Sequence, residues 1–217
     1  FYDKRNLWWL SGDCVVDFGL SKMEIKQKRK IWAKYFRKLK KLFPKAKCAL
    51  MYSNDWELMV AVQLSAQCTD KMVNRVTQAL FKKYRTLNDY VKAKPREFEQ
   101  DIFRTGFYRN KTKNILAAAK MVKEKFHGKI PKTMSEILTI PGVARKTANV
   151  MLGNAHGVVE GIAVDTHVKR MARVLGLSYE KTPEKIEQDL MQIIPRKQWF
   201  EATYLLIEYG RANRNLK

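Results

Sequence analysis

The sequence predicts an all-α fold. Apolar residues recur at spacings of three and four along most of the chain, the signature of one-sided helices. Helix-start residues stand ahead of several of these stretches: Thr69 and Asp70, Pro95, Asp165 and Pro183,. No run alternates apolar and polar residues for long enough to make a strand, and Ile162-Ala163-Val164 is only a connector,.

Taken in order, residues 22–47 hold twelve Lys/Arg against one acid, Glu24. Within them Trp32, Tyr35, Phe36, Leu39, Leu42 and Phe43 form one apolar stripe on a cationic helix that Pro44 ends,. Calmodulin-target and membrane-surface helices look similar, but the folded body that follows favours packing of the stripe on that body. Residues 56–65 are apolar at helical spacing. Thr69 and Asp70 cap a helix over 71–84, with Asp70 read as a cap. Short helices follow over 88–94 and 95–102, the second led by its proline. Helices are expected over 111–126, 135–140, 145–155, 166–176, 183–194 and 199–209. Residues 1–22 begin with Phe1, and the first methionine is Met23, where the character of the sequence changes. They are read as an extension on which no function rests.

The charge balance narrows the partner. The chain has 217 residues, 43 Lys+Arg and 21 Asp+Glu, a net charge of +22. Residues 22–47 supply +11 of it, twelve bases less one acid. With 46% hydrophobic residues and five Trp the chain is folded, not a disordered basic tail,. A folded, strongly basic protein points to a polyanion: nucleic acid, or less often an acidic membrane surface. No apolar run approaches the roughly 20 residues of a membrane span. The three cysteines, Cys14, Cys48 and Cys68, are widely spaced, with no CxxC pair. That spacing argues against a zinc ribbon and a disulfide framework, and for a reducing, cytoplasmic setting.

The most informative segment is Leu138-Thr139-Ile140-Pro141-Gly142-Val143-Ala144-Arg145-Lys146-Thr147-Ala148. Proline cannot continue the first helix, and glycine turns without a Cβ clash. Backbone N–H groups after the turn then stand at the positive end of the second helix, a phosphate-binding device indifferent to base sequence. This order of residues resembles the helix-hairpin-helix of the endonuclease III family of DNA glycosylases. Three further blocks match that family in order: Gln63-Leu64-Ser65-Ala66-Gln67-Cys68-Thr69-Asp70, Thr105-Gly106-Phe107-Tyr108, and Gly161-Ile162-Ala163-Val164-Asp165-Thr166-His167-Val168.

The resemblance implies two helical domains flanking a DNA-binding cleft. One is a helical barrel, about 48–158, containing the hairpin at about 135–155. The other is discontinuous, joining 23–47 to 159–217. It implies damaged double-stranded DNA as partner, a monomer, and a nucleoid association if the source is bacterial. The expected activity is that of a bifunctional DNA glycosylase and abasic-site lyase excising oxidised pyrimidines in base excision repair. Monofunctional relatives lack a lysine at position 146, and a non-catalytic hairpin module would need neither the Asp165 block nor the Gln67 block; these are the two alternatives.

Lys146 is the implied nucleophile. Its neighbour Arg145, the helix N-terminus and partial burial in the cleft would all favour the unprotonated amine that attack needs. Asp165 is expected both to cap the helix starting near Thr166 and to stabilise the developing positive sugar. Gln67 is expected to fill the gap left by a flipped base and Phe107 to act as the wedge; otherwise Phe107 would be a core aromatic. Gly142, Val143, Ala144, Arg145 and Thr147 of the hairpin, with His167, complete the DNA-facing set. Two features depart from the family. Ala144 stands where glycine is usual, so the hairpin must tolerate it or already use right-handed geometry there. The four cysteines of the family's C-terminal [4Fe–4S] loop are absent. Either the chain stops short of that loop or this member does without the cluster, and no cofactor is expected on the residues present.

Overall fold

The computed structural model describes residues 24–216; the extension at 1–22 and Cys14 lie outside the described residues. Among these, eleven α-helices and two 3₁₀ turns are present and no strand.

Helix α1 (Ile25–Leu42) buries Trp32 and Leu39 and turns most of its lysines outward. The Trp32 indole N–H donates to Gln198 Oε1 at 2.8 Å, so the large ring is both buried and satisfied. The stripe packs on α10 (Pro183–Ile193) and α11 (Trp199–Ala212), and α11 packs on α9 (Thr166–Val174). Together they enclose one hydrophobic core, which includes Trp32, Val168, Met171, Leu190 and Leu205. Helix α11 runs past Tyr209 because Gly210 is an approach point. A Cβ there would lie 3.0 Å from the His167 Cβ, so glycine lets α9 close on α11 without ending the helix,.

Helix α2 (Asp55–Leu64) is largely apolar after its acidic first turn, and every residue from Leu58 to Leu64 is buried. A helix of that kind belongs at the centre of a core. Leu58, Met59 and Val62 share one cluster with residues of α6 (Tyr108–Glu124), α7 (Met134–Ile137) and α8 (Arg145–His156). Val60, Ala61 and Leu64 share another with α3 (Asp70–Lys83), α4 (Leu87–Lys92) and α5 (Pro95–Ile102).

Two local expectations need correction. Helix α6 starts at Tyr108, three residues earlier than its apolar pattern suggests, because Phe107 takes a left-handed conformation (φ 48°) and sets the entry angle. Asp70 is not a cap. Thr69 is the N-cap, its hydroxyl accepting from Met72 N at 3.3 Å. Asp70 is the first residue of α3 and pairs with Arg211 of α11.

Candidate active site

The hairpin is built by short-range rules. Thr133 caps α7, and Val143 N–H donates back to the Ile140 carbonyl at 3.1 Å, closing the Pro141-Gly142 turn. Gly142 sits at φ 78°, and a Cβ there would meet Gln63 Oε1 at 2.7 Å and Asn114 Cβ at 2.9 Å. Both conformation and space demand glycine. Ala144 has φ −95° and ψ 170°, ordinary extended backbone, so the usual family glycine is not needed at that position. Val143 corrects one expectation: it is buried and its N–H is used inside the turn, so it locks the hairpin rather than offering a donor to phosphate. Helix α8 begins with no side-chain cap. The first-turn N–H groups of Arg145, Lys146 and Thr147 therefore stand at an uncapped positive helix end. Thr147 itself is half-buried.

Arg145 and Lys146 part company. The Arg145 guanidinium donates to Glu187 of α10 at 2.6 Å and 3.2 Å. Glu187 is only 4% exposed and also accepts from Asn149 Nδ2 at 2.8 Å. Arg145 is thus held by a buried carboxylate instead of standing free for phosphate. A Cβ at Gly161 would fall 1.9 Å from Glu187 Oε1; the acidic block needs its glycine to make room for this carboxylate. Lys146 is exposed, not partly buried, because the cavity it borders opens to solvent.

That cavity has a volume of about 80 Å³ and is lined by both Lys146 and Asp165. Cys48, Asp70, Tyr204 and Arg211 complete much of its wall. Asp165 is the N-cap of α9, and its Oδ1 accepts from Val168 N at 2.8 Å. Its second oxygen is left for other work, and the carboxylate is half-buried. Arg211 reaches Asp70 on one side and Glu208, at 2.9 Å, on the other. His167 packs against Gly210, and its Nδ1 is buried without a hydrogen-bond partner. Burial is the main cause holding its pKa below the ordinary 6.5; Arg211, Arg170 and Arg214 act in the same direction and Asp165 opposes them.

Gln67 and Phe107 stand apart from the cavity on two loops. Both have left-handed backbone, φ 52° and φ 48°, and both are exposed, Phe107 by 67%. Phe107 is therefore not a core aromatic. Left-handed non-glycine residues cost about 1–2 kcal/mol each and collect where function needs them.

Residues 60–196 match the model of the HhH-GPD superfamily base excision DNA repair proteins. An endonuclease III from Synechocystis sp. is 49% identical over 174 residues, 80% of each chain. One from Bacillus subtilis is 46% identical over 175 residues, again 80% of each. This chain belongs to the endonuclease III family. The solved structure of a trapped endonuclease III–DNA covalent intermediate superposes with a TM-score of 0.80, at 43% identity and 87% coverage of both chains.

The family's four-cysteine cluster does not fit the residues present. A [4Fe–4S] cluster of the usual kind takes four thiolates, and the chain has three cysteines. Cys48 and Cys68 are free thiols. Among the described residues no group of three or more His, Cys, Asp or Glu is arranged to hold a metal ion. Nor, among them, is any helix long and apolar enough to cross a membrane.

Two outcomes follow from the geometry. Replacing Glu187 with Ala strands the buried Asn149 donor, releases Arg145 to solvent and lowers stability by about 1–3 kcal/mol, while Glu187→Gln, which keeps an acceptor, loses less; urea unfolding measures both, and equal small losses contradict the pairing. The depressed His167 value has a definite sign. As pH falls the unfolded chain takes up this proton first, so stability drops below about pH 6.5 and His167→Gln makes that drop shallower. Unfolding midpoints compared at about pH 7.5 and 5.5 test it, and identical pH dependence in the two proteins rules it out.

Proposed function

We propose that this chain is a bifunctional DNA glycosylase and abasic-site lyase that removes oxidised pyrimidines from duplex DNA during base excision repair. One observation carries the reading: Lys146 and Asp165, from helices that belong to different hydrophobic cores, line one cavity. On this reading the core of α1, α9, α10 and α11 marks one domain, 23–47 with 159–217, and the two clusters that share α2 mark the other, 48–158, with the cleft at their seam.

Besides these side chains the bond changes need only water, as proton donor, proton acceptor and hydrolytic reagent. The unprotonated Lys146 amine attacks C1′ of the damaged nucleoside, and the base leaves with the glycosidic electron pair and acquires a proton. The Asp165 carboxylate faces the positive charge that develops on the sugar. Opening of the sugar ring gives a Schiff base between Lys146 and C1′. Transfer of a C2′ proton to water then expels the 3′ phosphate with the C3′–O electron pair, and a second water hydrolyses the imine and releases the lysine. Flipping the base out of the stack costs a few kcal/mol; Gln67 filling the gap and Phe107 wedging the step offset part of that cost. The uncapped end of α8 accepts a backbone phosphate, and the lysine face of α1 adds sequence-independent, salt-sensitive attraction.

Borohydride trapping on a duplex with an abasic site tests the reading. The native protein and a Lys120→Ala control give a covalent adduct, and Lys146→Ala gives none. Asp165→Asn keeps a cap acceptor, so its loss of base excision, about 10²–10⁴-fold, reports chemistry and not folding. Base release with no adduct would make the chain monofunctional, and neither release nor cleavage would make it a DNA-binding protein.

A further inference from the structure

Beneath the two exposed loops lies a buried cation that none of the chemistry above uses. Lys111, in the first turn of α6, is 6% exposed. Lysine is almost never buried this far without a partner. Its ammonium donates to the Leu64 carbonyl at 2.8 Å and to the Thr105 carbonyl at 2.7 Å, so its acceptors are backbone atoms at the ends of two separate elements. Burial pushes its pKa below the ordinary 10.5.

The two carbonyls are well chosen. Leu64 is the last residue of α2, three residues before Gln67. Thr105 ends the 3₁₀ turn Phe103–Thr105, two residues before Phe107. Both loops lead into a strained, exposed residue with left-handed backbone, a conformation that persists only where its surroundings hold it. The hairpin bears on the same support. Gln63 Nε2 donates to the Pro141 carbonyl at 3.2 Å, and Gly142 sits against Gln63 and Asn114, close in sequence to Leu64 and Lys111.

We infer that Lys111 is a positioning residue that holds the Gln67 and Phe107 loops at one fixed spacing, so that both side chains enter the duplex as a unit. The inference rests on the reading of those two residues as plug and wedge.

The test compares affinity for a duplex carrying a tetrahydrofuran abasic analogue with affinity for the undamaged duplex. In Lys111→Met the preference for the abasic duplex falls about tenfold while affinity for undamaged DNA changes less than about twofold. Lys111→Gln, neutral but with two N–H donors, recovers part of the preference. In a Gln67→Ala/Phe107→Ala background Lys111→Met has no further effect, because Lys111 acts through those residues. If Gln67→Ala and Phe107→Ala themselves leave the preference intact, the plug-and-wedge reading is wrong. If they lower it and folded Lys111→Met does not, the Lys111 inference is overturned. It is equally overturned if neither Lys111 variant folds, since Lys111 would then support the whole fold and not the spacing of two loops.

Discussion

The Arg145–Glu187–Asn149 contact is the constraint on which the site depends. Lys146 belongs to α8, whose buried face joins the cluster around α2. Asp165 caps α9, which belongs to the core shared with α1, α10 and α11. Each core can be well packed without fixing the position of the other. Polar contacts do that work. Glu187 of α10 receives Arg145 and Asn149 from α8, Asp70 of α3 receives Arg211 of α11, and Asn154 of α8 donates to the Tyr204 hydroxyl at 2.6 Å. Gly153 adds a steric key, since a Cβ there would lie 2.6 Å from the Phe200 ring. Directional contacts define a register between helices in a way that apolar packing alone does not.

The exposed loops follow the opposite logic. Gln67, Phe107 and Gly142 all carry positive φ, and all three rest on the junction of α2 with α6. Strain sits on residues that point outward, while Gln63 and Lys111 satisfy the backbone behind them. A surface organised this way is already shaped before a partner arrives, and less ordering is left for the moment of binding.

Much of this was legible in the sequence because it is local. Helix starts followed from Thr69, Pro95, Asp165 and Pro183; the hairpin followed from Pro141-Gly142; the stripe of α1 followed from spacing. The four blocks carried the family. What stayed hidden depends on partners far along the chain. Arg145 reads as a phosphate contact until Glu187, 42 residues away, is seen to hold it. Asp70 reads as a cap until Arg211, 141 residues away, claims it. Glu187 looks like any polar position of an amphipathic helix, and Lys111 like one basic residue among 43; nothing in either one's neighbours signals burial. The one local ambiguity, Ala144, is settled by a φ of −95°.

That abundance of cations sets the sharpest test. A chain with so many lysines could present an amine to an abasic site from several places, and the assignment of Lys146 rests on its sharing a cavity with Asp165. Mapping the borohydride-reduced adduct by peptide mass spectrometry asks which nitrogen bonds to the sugar. The nucleotide mass on the peptide that contains Lys146 is the predicted result. The same mass on a lysine of α1, or on the amino terminus, would contradict it.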